Sequence, residues 1–151
     1  MKQDKKDNIR LYNPSIMGQI TELKCQLFFI EHGFNVLVPL GNHQKYDLVL
    51  EHNNIFTRIQ IKHATSHNDG KSFVVKTKYQ VRDVNKTQRV SQKNYTLNDC
   101  DCFMTEFNNQ FYIFPIFGTN ETKFWLNDED VKLKSQHKAS DYIAEDYLQN
   151  L

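Results

Sequence analysis

Tyr46–His63, YDLVLEHNNIFTRIQIKH, is the stretch from which the fold is read. Leu48, Val49 and Leu50 form an apolar run between Asp47 and Glu51. His52-Asn53-Asn54 is turn chemistry, because asparagine tolerates the left-handed backbone that a tight hairpin demands. Ile55–Lys62 is rich in β-branched residues, with Ile59 and Ile61 alternating with Gln60 and Lys62, so it reads as the returning strand. Side chains two apart on a strand share a face, so Gln60 and Lys62 point the same way. A two-residue turn at Asn53-Asn54 sets Asp47 opposite Gln60. A carboxylate, an amide oxygen and an ammonium then converge on one patch of an apolar hairpin, a combination suited to a divalent cation beside a phosphate. The wet face of any hairpin carries the same residue types, so the surrounding chain decides between the two.

On the N-terminal side, Asn13-Pro14-Ser15 starts a helix with Asn13 or Ser15 as its cap. Ile16, Ile20, Leu23, Leu27 and Ile30 recur at intervals of three and four, the stripe of a helix expected to turn that face inward. Phe28 and Phe29 widen the stripe, and Gly33 stops the helix. Glu22 lies at the edge of the stripe, where a carboxylate can face inward. Phe34–Leu40 reads as a strand, with Pro39 marking an edge or an end. The loop Gly41–Lys45 leads straight into Asp47. Residues 1–12 are polar and expected to be loosely held.

On the C-terminal side, Thr65–Lys71 reads as a polar loop ending in Asp69-Gly70. Ser72–Val81 reads as one strand, and Arg82–Thr96 as a long basic connection without regular structure. Strands follow around Cys100–Phe107 and over Gln110–Ile116, joined by a turn at Asn108-Asn109. Trp125 is the expected core anchor of the mixed stretch after them, and Ser140 the cap of a final helix through Leu148. The order predicts one α/β domain over residues 1–151, a central mixed sheet flanked by helices.

Composition agrees with one packed domain: of 151 residues, 39% are hydrophobic and 13% aromatic, too many for a disordered chain. No run of about 18 apolar residues marks a membrane span. The first ten residues carry charge with no apolar run behind them, unlike a secretion signal. Cys25, Cys100 and Cys102 give neither an even disulfide framework nor zinc spacing, so buried free thiols in a reducing, cytoplasmic setting are expected.

The net charge of +1 hides an asymmetry. Residues 58–94 hold nine basic and two acidic side chains, net +7, whereas residues 95–151 are net −6. A polyanion is the natural partner of such a block. Lys71, Lys76, Lys78, Arg82, Lys86, Arg89 and Lys93 are suited to phosphates, and Gln80 to a base edge. His63 follows Lys62 and points to the opposite face, which favours packing over chemistry. His43 and His67 sit in loops near the patch.

A helix bearing Glu22, an intervening strand, then Asp47 and Gln60-Ile61-Lys62 resembles the core of the PD-(D/E)XK nuclease superfamily over roughly residues 15–81. Among its members the chain is most similar to the small intron-encoded homing endonucleases. Asp101-Cys102-Phe103, Phe111–Pro115 and Ala139–Ile143 look like their closing segments. Two positions depart from the motif. Tyr46 stands in place of the proline, which carries no chemistry, and Gln60 in place of the second acidic residue, which removes a negative charge from the metal site.

The resemblance implies an endonuclease for double-stranded DNA, dependent on Mg²⁺ or Mn²⁺. Asp47, Gln60, the Ile61 carbonyl and Glu22 would be the metal ligands, and Lys62 would act at the scissile phosphate. Products would carry a 5′-phosphate and a 3′-hydroxyl. One site cuts one strand, so a homodimer or homotetramer is expected. The superfamily also holds junction resolvases and restriction enzymes. A site that has lost its metal would leave a DNA-binding or interaction module.

Overall fold

The computed structural model describes residues 13–68, 70–82 and 90–151. The expectations for residues 1–12, Asp69, Lys86 and Arg89 lie outside them.

Helix α1 spans Pro14–Glu31. Asn13 caps it, its side chain accepting the Ser15 N–H at 3.0 Å, and Pro14 opens the first turn, where a missing N–H costs nothing. After the helix, Gly33 turns the chain away at φ +80°, a conformation that only glycine adopts without penalty.

The chain then forms β1 (Asn35–Leu37), β2 (Leu48–His52) and β3 (Ile55–Ile61). Asn53 and Asn54 both take positive φ, 52° and 63°, as the tight hairpin turn requires. Leu48 pairs with Ile59 and Asp47 N–H donates to the Ile59 carbonyl at 2.9 Å, so the register predicted from the two-residue turn holds. The strand expected over Phe34–Leu40 is shorter than its apolar run; β1 stops before Pro39 and forms the sheet edge.

Further on lie β4 (Ala64–His67), β5 (Ser72–Lys76), β6 (Lys78–Arg82), β7 (Val90–Asn94), β8 (Cys102–Phe107), β9 (Gln110–Phe114), β10 (Glu121–Trp125) and β11 (His137–Lys138). A short helix, α2, closes the chain at Ala144–Gln149. The central sheet runs β1-β2-β3-β8-β9, with β3 and β8 parallel and every other pair antiparallel. Asn108 and Asn109, at φ 51° and 62°, turn the β8–β9 hairpin as Asn53 and Asn54 turn the first.

A second sheet, β11-β10-β5-β4, covers one face of the first, and among the described residues β6 pairs with β7 alone in a separate ribbon. Four expectations change here. The polar stretch at Thr65 is a strand, β4, because its backbone pairs with β5. Ser72–Val81 is two strands. They break at Thr77, whose N–H and hydroxyl donate to the Asn120 and Thr119 carbonyls and peel the chain from the sheet. The end of the supposed basic loop is β7, paired with β6 from Val90 to Asn94. Ser140 does not cap the last helix; its hydroxyl donates to Asp128 at 2.7 Å, and Ile143 occupies the cap position.

Each face of the central sheet has its own core. Leu48, Leu50, Ile59, Ile61, Cys102 and Met104 meet Cys25, Phe28 and Phe29 of α1 and Leu148 of α2. On the other face, Phe103, Tyr112 and Phe114 meet Phe73, Val75 and Phe124 of the second sheet. Phe73 stacks on Phe124 with ring centres 5.1 Å apart. Truncating such a ring typically costs about 3–5 kcal/mol. Phe124, fully buried, is the anchor; Trp125 alternates outward and is only half-buried. The three cysteines are buried free thiols, but Cys100 and Cys102 fall in different cores.

Candidate active site

Asp47, just before β2, and Gln60, near the end of β3, are cross-strand neighbours on the face turned to the second sheet. Asp47 Oδ2 accepts the Gln60 Nε2 donor at 2.6 Å and the Ile61 N–H at 2.7 Å. The same Nε2 donates to the Ile61 carbonyl at 3.1 Å. One donor group therefore sits between a carboxylate oxygen and a backbone carbonyl, both hard oxygens. Turning the amide about its last bond would bring Gln60 Oε1 to the same place, leaving three oxygens facing one point. Gln60 is only 7% exposed, so this arrangement is fixed by packing.

Burial raises the Asp47 pKa above the ordinary aspartate value, opposed by the Ile61 N–H and by the charge of Lys62. Glu22 reaches the site from α1. Its pKa is raised by burial and then by the charge of Asp47, and lowered by Lys62. Glu22 and Asp47 line one open cleft with Gln26, Val38, Gln44 and Tyr46. Among the described residues, no three His, Cys, Asp or Glu side chains converge on a point. The donor set is thus poor in carboxylates, as the glutamine at position 60 dictates.

Lys62 follows β3, held by its N–H to the Met104 carbonyl at 3.0 Å and by its own carbonyl, which accepts the Thr105 hydroxyl at 2.6 Å. Burial lowers its pKa below the ordinary lysine value, while Asp47 and Glu22 pull it back up. Its ammonium lies 4.9 Å from the centre of the Tyr95 ring. Tyr95 packs edge-on against Tyr79 of β6 at 4.9 Å, and Lys45 sits 4.0 Å above the Tyr79 ring. The base of the ribbon is thereby fastened to both halves of the site. Sequence reasoning passed over Tyr95, Tyr79 and Lys45. The one signal was a tyrosine closing a stretch read as structureless.

His63 turns away from the site, as its strand parity predicts. Thr21 spends its one hydroxyl proton on the Met17 carbonyl, so His63 Nδ1, 3.0 Å from Thr21 Oγ1, is the donor of that pair. Arg58 leaves the basic block. Its backbone N–H, Nε and Nη2 bind the Asp101 carboxylate, and its guanidinium caps the Leu97 and Asn98 carbonyls.

On the ribbon, Lys78, Gln80 and Arg82 share one face of β6, with Gln92 opposite Gln80. Lys93 lies opposite Tyr79 and therefore on the other face. Lys71 and Lys76 lie at the two ends of β5 in the second sheet, both exposed. His43 and His67 are exposed loop and strand-end residues.

The chain resembles the solved structure of a bacterial homing endonuclease, I-Ssp6803I, with a TM-score of 0.71 and 22% identity over 89% of this chain and 91% of that one. At that identity the likeness shows a shared fold. A search of curated proteins finds no match. The PD-(D/E)XK endonuclease family model matches residues 12–146, nearly the whole chain and all of the site above. The chain therefore belongs to the PD-(D/E)XK endonuclease family.

Proposed function

We propose that the protein is a metal-dependent endonuclease that hydrolyses phosphodiester bonds at specific sites in double-stranded DNA, in the manner of a homing endonuclease. The observation that carries this reading is the meeting of Asp47 Oδ2, the Gln60 amide and the Ile61 carbonyl beside the Lys62 ammonium. Those oxygens fit Mg²⁺ or Mn²⁺, which need few protein ligands and keep several waters. Glu22 would take part through the cleft it shares with Asp47.

A bound cation would supply charge neutralisation at the scissile phosphate. The chain's own groups do the rest. Lys62, steadied over Tyr95, donates to a phosphate oxygen and orients the attacking water. Glu22 and Asp47, partly buried and close enough for each charge to act on the other, hold the negative charge that attracts the ion. Lys78, Gln80, Arg82 and Gln92 present donors from one ribbon face to a duplex groove. Because one site cuts one strand, the working form is a homodimer or homotetramer.

The test is incubation of purified protein with plasmid libraries in Mg²⁺ and in EDTA. Cuts at recurring sequences in Mg²⁺ alone support the proposal. Cutting of four-way junctions in preference to linear duplex would assign a resolvase instead, and binding without cutting under both conditions would assign a recognition module.

A further inference from the structure

Ile16, Ile20, Leu23, Leu27 and Ile30 recur on α1 at intervals of four, three, four and three, yet this stripe faces solvent. Ile20 is 37% exposed, Leu23 65%, Leu27 54% and Ile30 58%. The helix buries a different face, made of Thr21, Cys25, Phe28 and Phe29. At about 100° per residue the two faces lie on opposite sides of the helix. A narrow stripe of strict three-and-four spacing is the seam that packs against one other helix.

Val38 and Leu40, 58% and 107% exposed, lie in the loop that follows β1. Val38 and Gln26 line the same cleft, which places the loop beside the helix. Together these side chains form an apolar surface at the upper end of what a monomer leaves exposed.

We propose that this seam is a two-fold interface where a second copy of the chain packs, α1 against α1. Charge favours a copy. The seam is flanked by uncharged Gln19 and Gln26 and by one charge of each sign, Lys24 and Glu31, and Lys24 is already held by Glu106 at 3.1 Å. Two identical faces therefore meet without like-charge repulsion. Position favours it too. Glu22 lies one residue from Leu23 and opens into the cleft with Asp47, so pairing along α1 brings two candidate sites to neighbouring places on one duplex. That last point rests on the nuclease reading; the seam itself does not.

The experiment is sedimentation velocity on the full chain, wild type beside L23E/L27E and L23M/L27M, with circular dichroism and melting as folding controls. Both leucines are exposed, so the glutamates leave the fold intact. Wild type and the methionine variant are expected to sediment as a dimer or a multiple of it, and L23E/L27E at half the wild-type mass or less. On cleavable DNA, L23E/L27E should nick with at least a tenfold loss of paired double-strand cuts. A monomeric wild type at tens of micromolar, or a glutamate variant with unchanged mass, would overturn the interface. If the masses behave as expected and no protein cuts DNA, the interface stands and the nuclease reading fails.

Discussion

Lys62 keeps its ammonium 4.9 Å from the centre of the Tyr95 ring, and Tyr95 is the first residue beyond β7 of the basic ribbon. The group proposed to act on phosphate therefore leans on the element proposed to bind DNA. A cation over an aromatic face is worth about 0.5–2 kcal/mol. Tyr95→Leu should therefore lower the single-turnover cleavage rate by about 2- to 30-fold. Tyr95→Phe keeps the ring and should stay near wild type. Equal losses in both would mean that the hydroxyl, not the ring, matters.

The partly buried Asp47 carboxylate gives a stability signature in metal-free protein. Its folded pKa is raised by burial, so the folded state holds the proton more tightly than the unfolded chain does. Stability from this group is full below the unfolded value and is lost as pH rises through the folded one. Asp47→Asn keeps the acceptor for Ile61 and Gln60 and removes the charge. At pH 7 in EDTA it should melt up to about 3 °C higher than wild type, and the gain should vanish as pH falls below the ordinary aspartate range. Mg²⁺ should then raise the melting temperature of wild type and not of the variant. A variant that is no more stable at pH 7 would place the burial cost elsewhere.

Restoring a carboxylate at position 60 should strengthen the metal site. Gln60→Glu sets a second negative charge beside Asp47, so without metal the melting temperature should fall by a few degrees. The Mg²⁺ concentration for half-maximal cleavage should drop by about tenfold or more, with no necessary gain in rate. An unchanged metal titration would remove Gln60 from the ligand set.

The basic residues should divide by what they touch. Lys78→Ala and Arg82→Ala should each lower the salt slope of DNA binding by roughly one unit. Arg58→Ala should leave that slope unchanged and cost about 1–3 kcal/mol of stability, because its guanidinium is spent on Asp101 and two carbonyls. Lys132→Ala and Lys134→Ala, in the acidic third of the chain, serve as controls. Fluorescence anisotropy across a salt series, with urea melts beside it, separates the two classes. Equal slopes throughout would reduce the block to solvated surface.

The hairpin was legible because its information is local. Two asparagines fix the turn, the turn fixes the register, and the register brings Asp47 to Gln60. What failed was set by distant contacts. β4 and β7 are polar segments whose partners, β5 and β6, supply the hydrogen bonds that composition does not advertise. Phe124 and Trp125 are adjacent and both aromatic; only the pairing with β5 decides which one faces the core. On α1 two apolar faces compete. The regular one, at Leu23 and Leu27, points outward, because the central sheet takes the bulk of Phe28 and Phe29 instead. Tyr95 offered only its place at the close of a stretch read as structureless, since its neighbour Lys62 is distant in the chain.

The most direct test of the account is the nicking rate of Asp47→Ala beside wild type on cleavable plasmid in Mg²⁺, with gel-shift affinity taken from the same preparations. The account predicts a loss of at least about 100-fold in rate, with DNA affinity within a few-fold and the fold intact, because the carboxylate would hold the cation that neutralises charge at the scissile phosphate. Cleavage retained within a few-fold of wild type would contradict it, and so would loss of binding in step with activity, which would make Asp47 a structural aspartate.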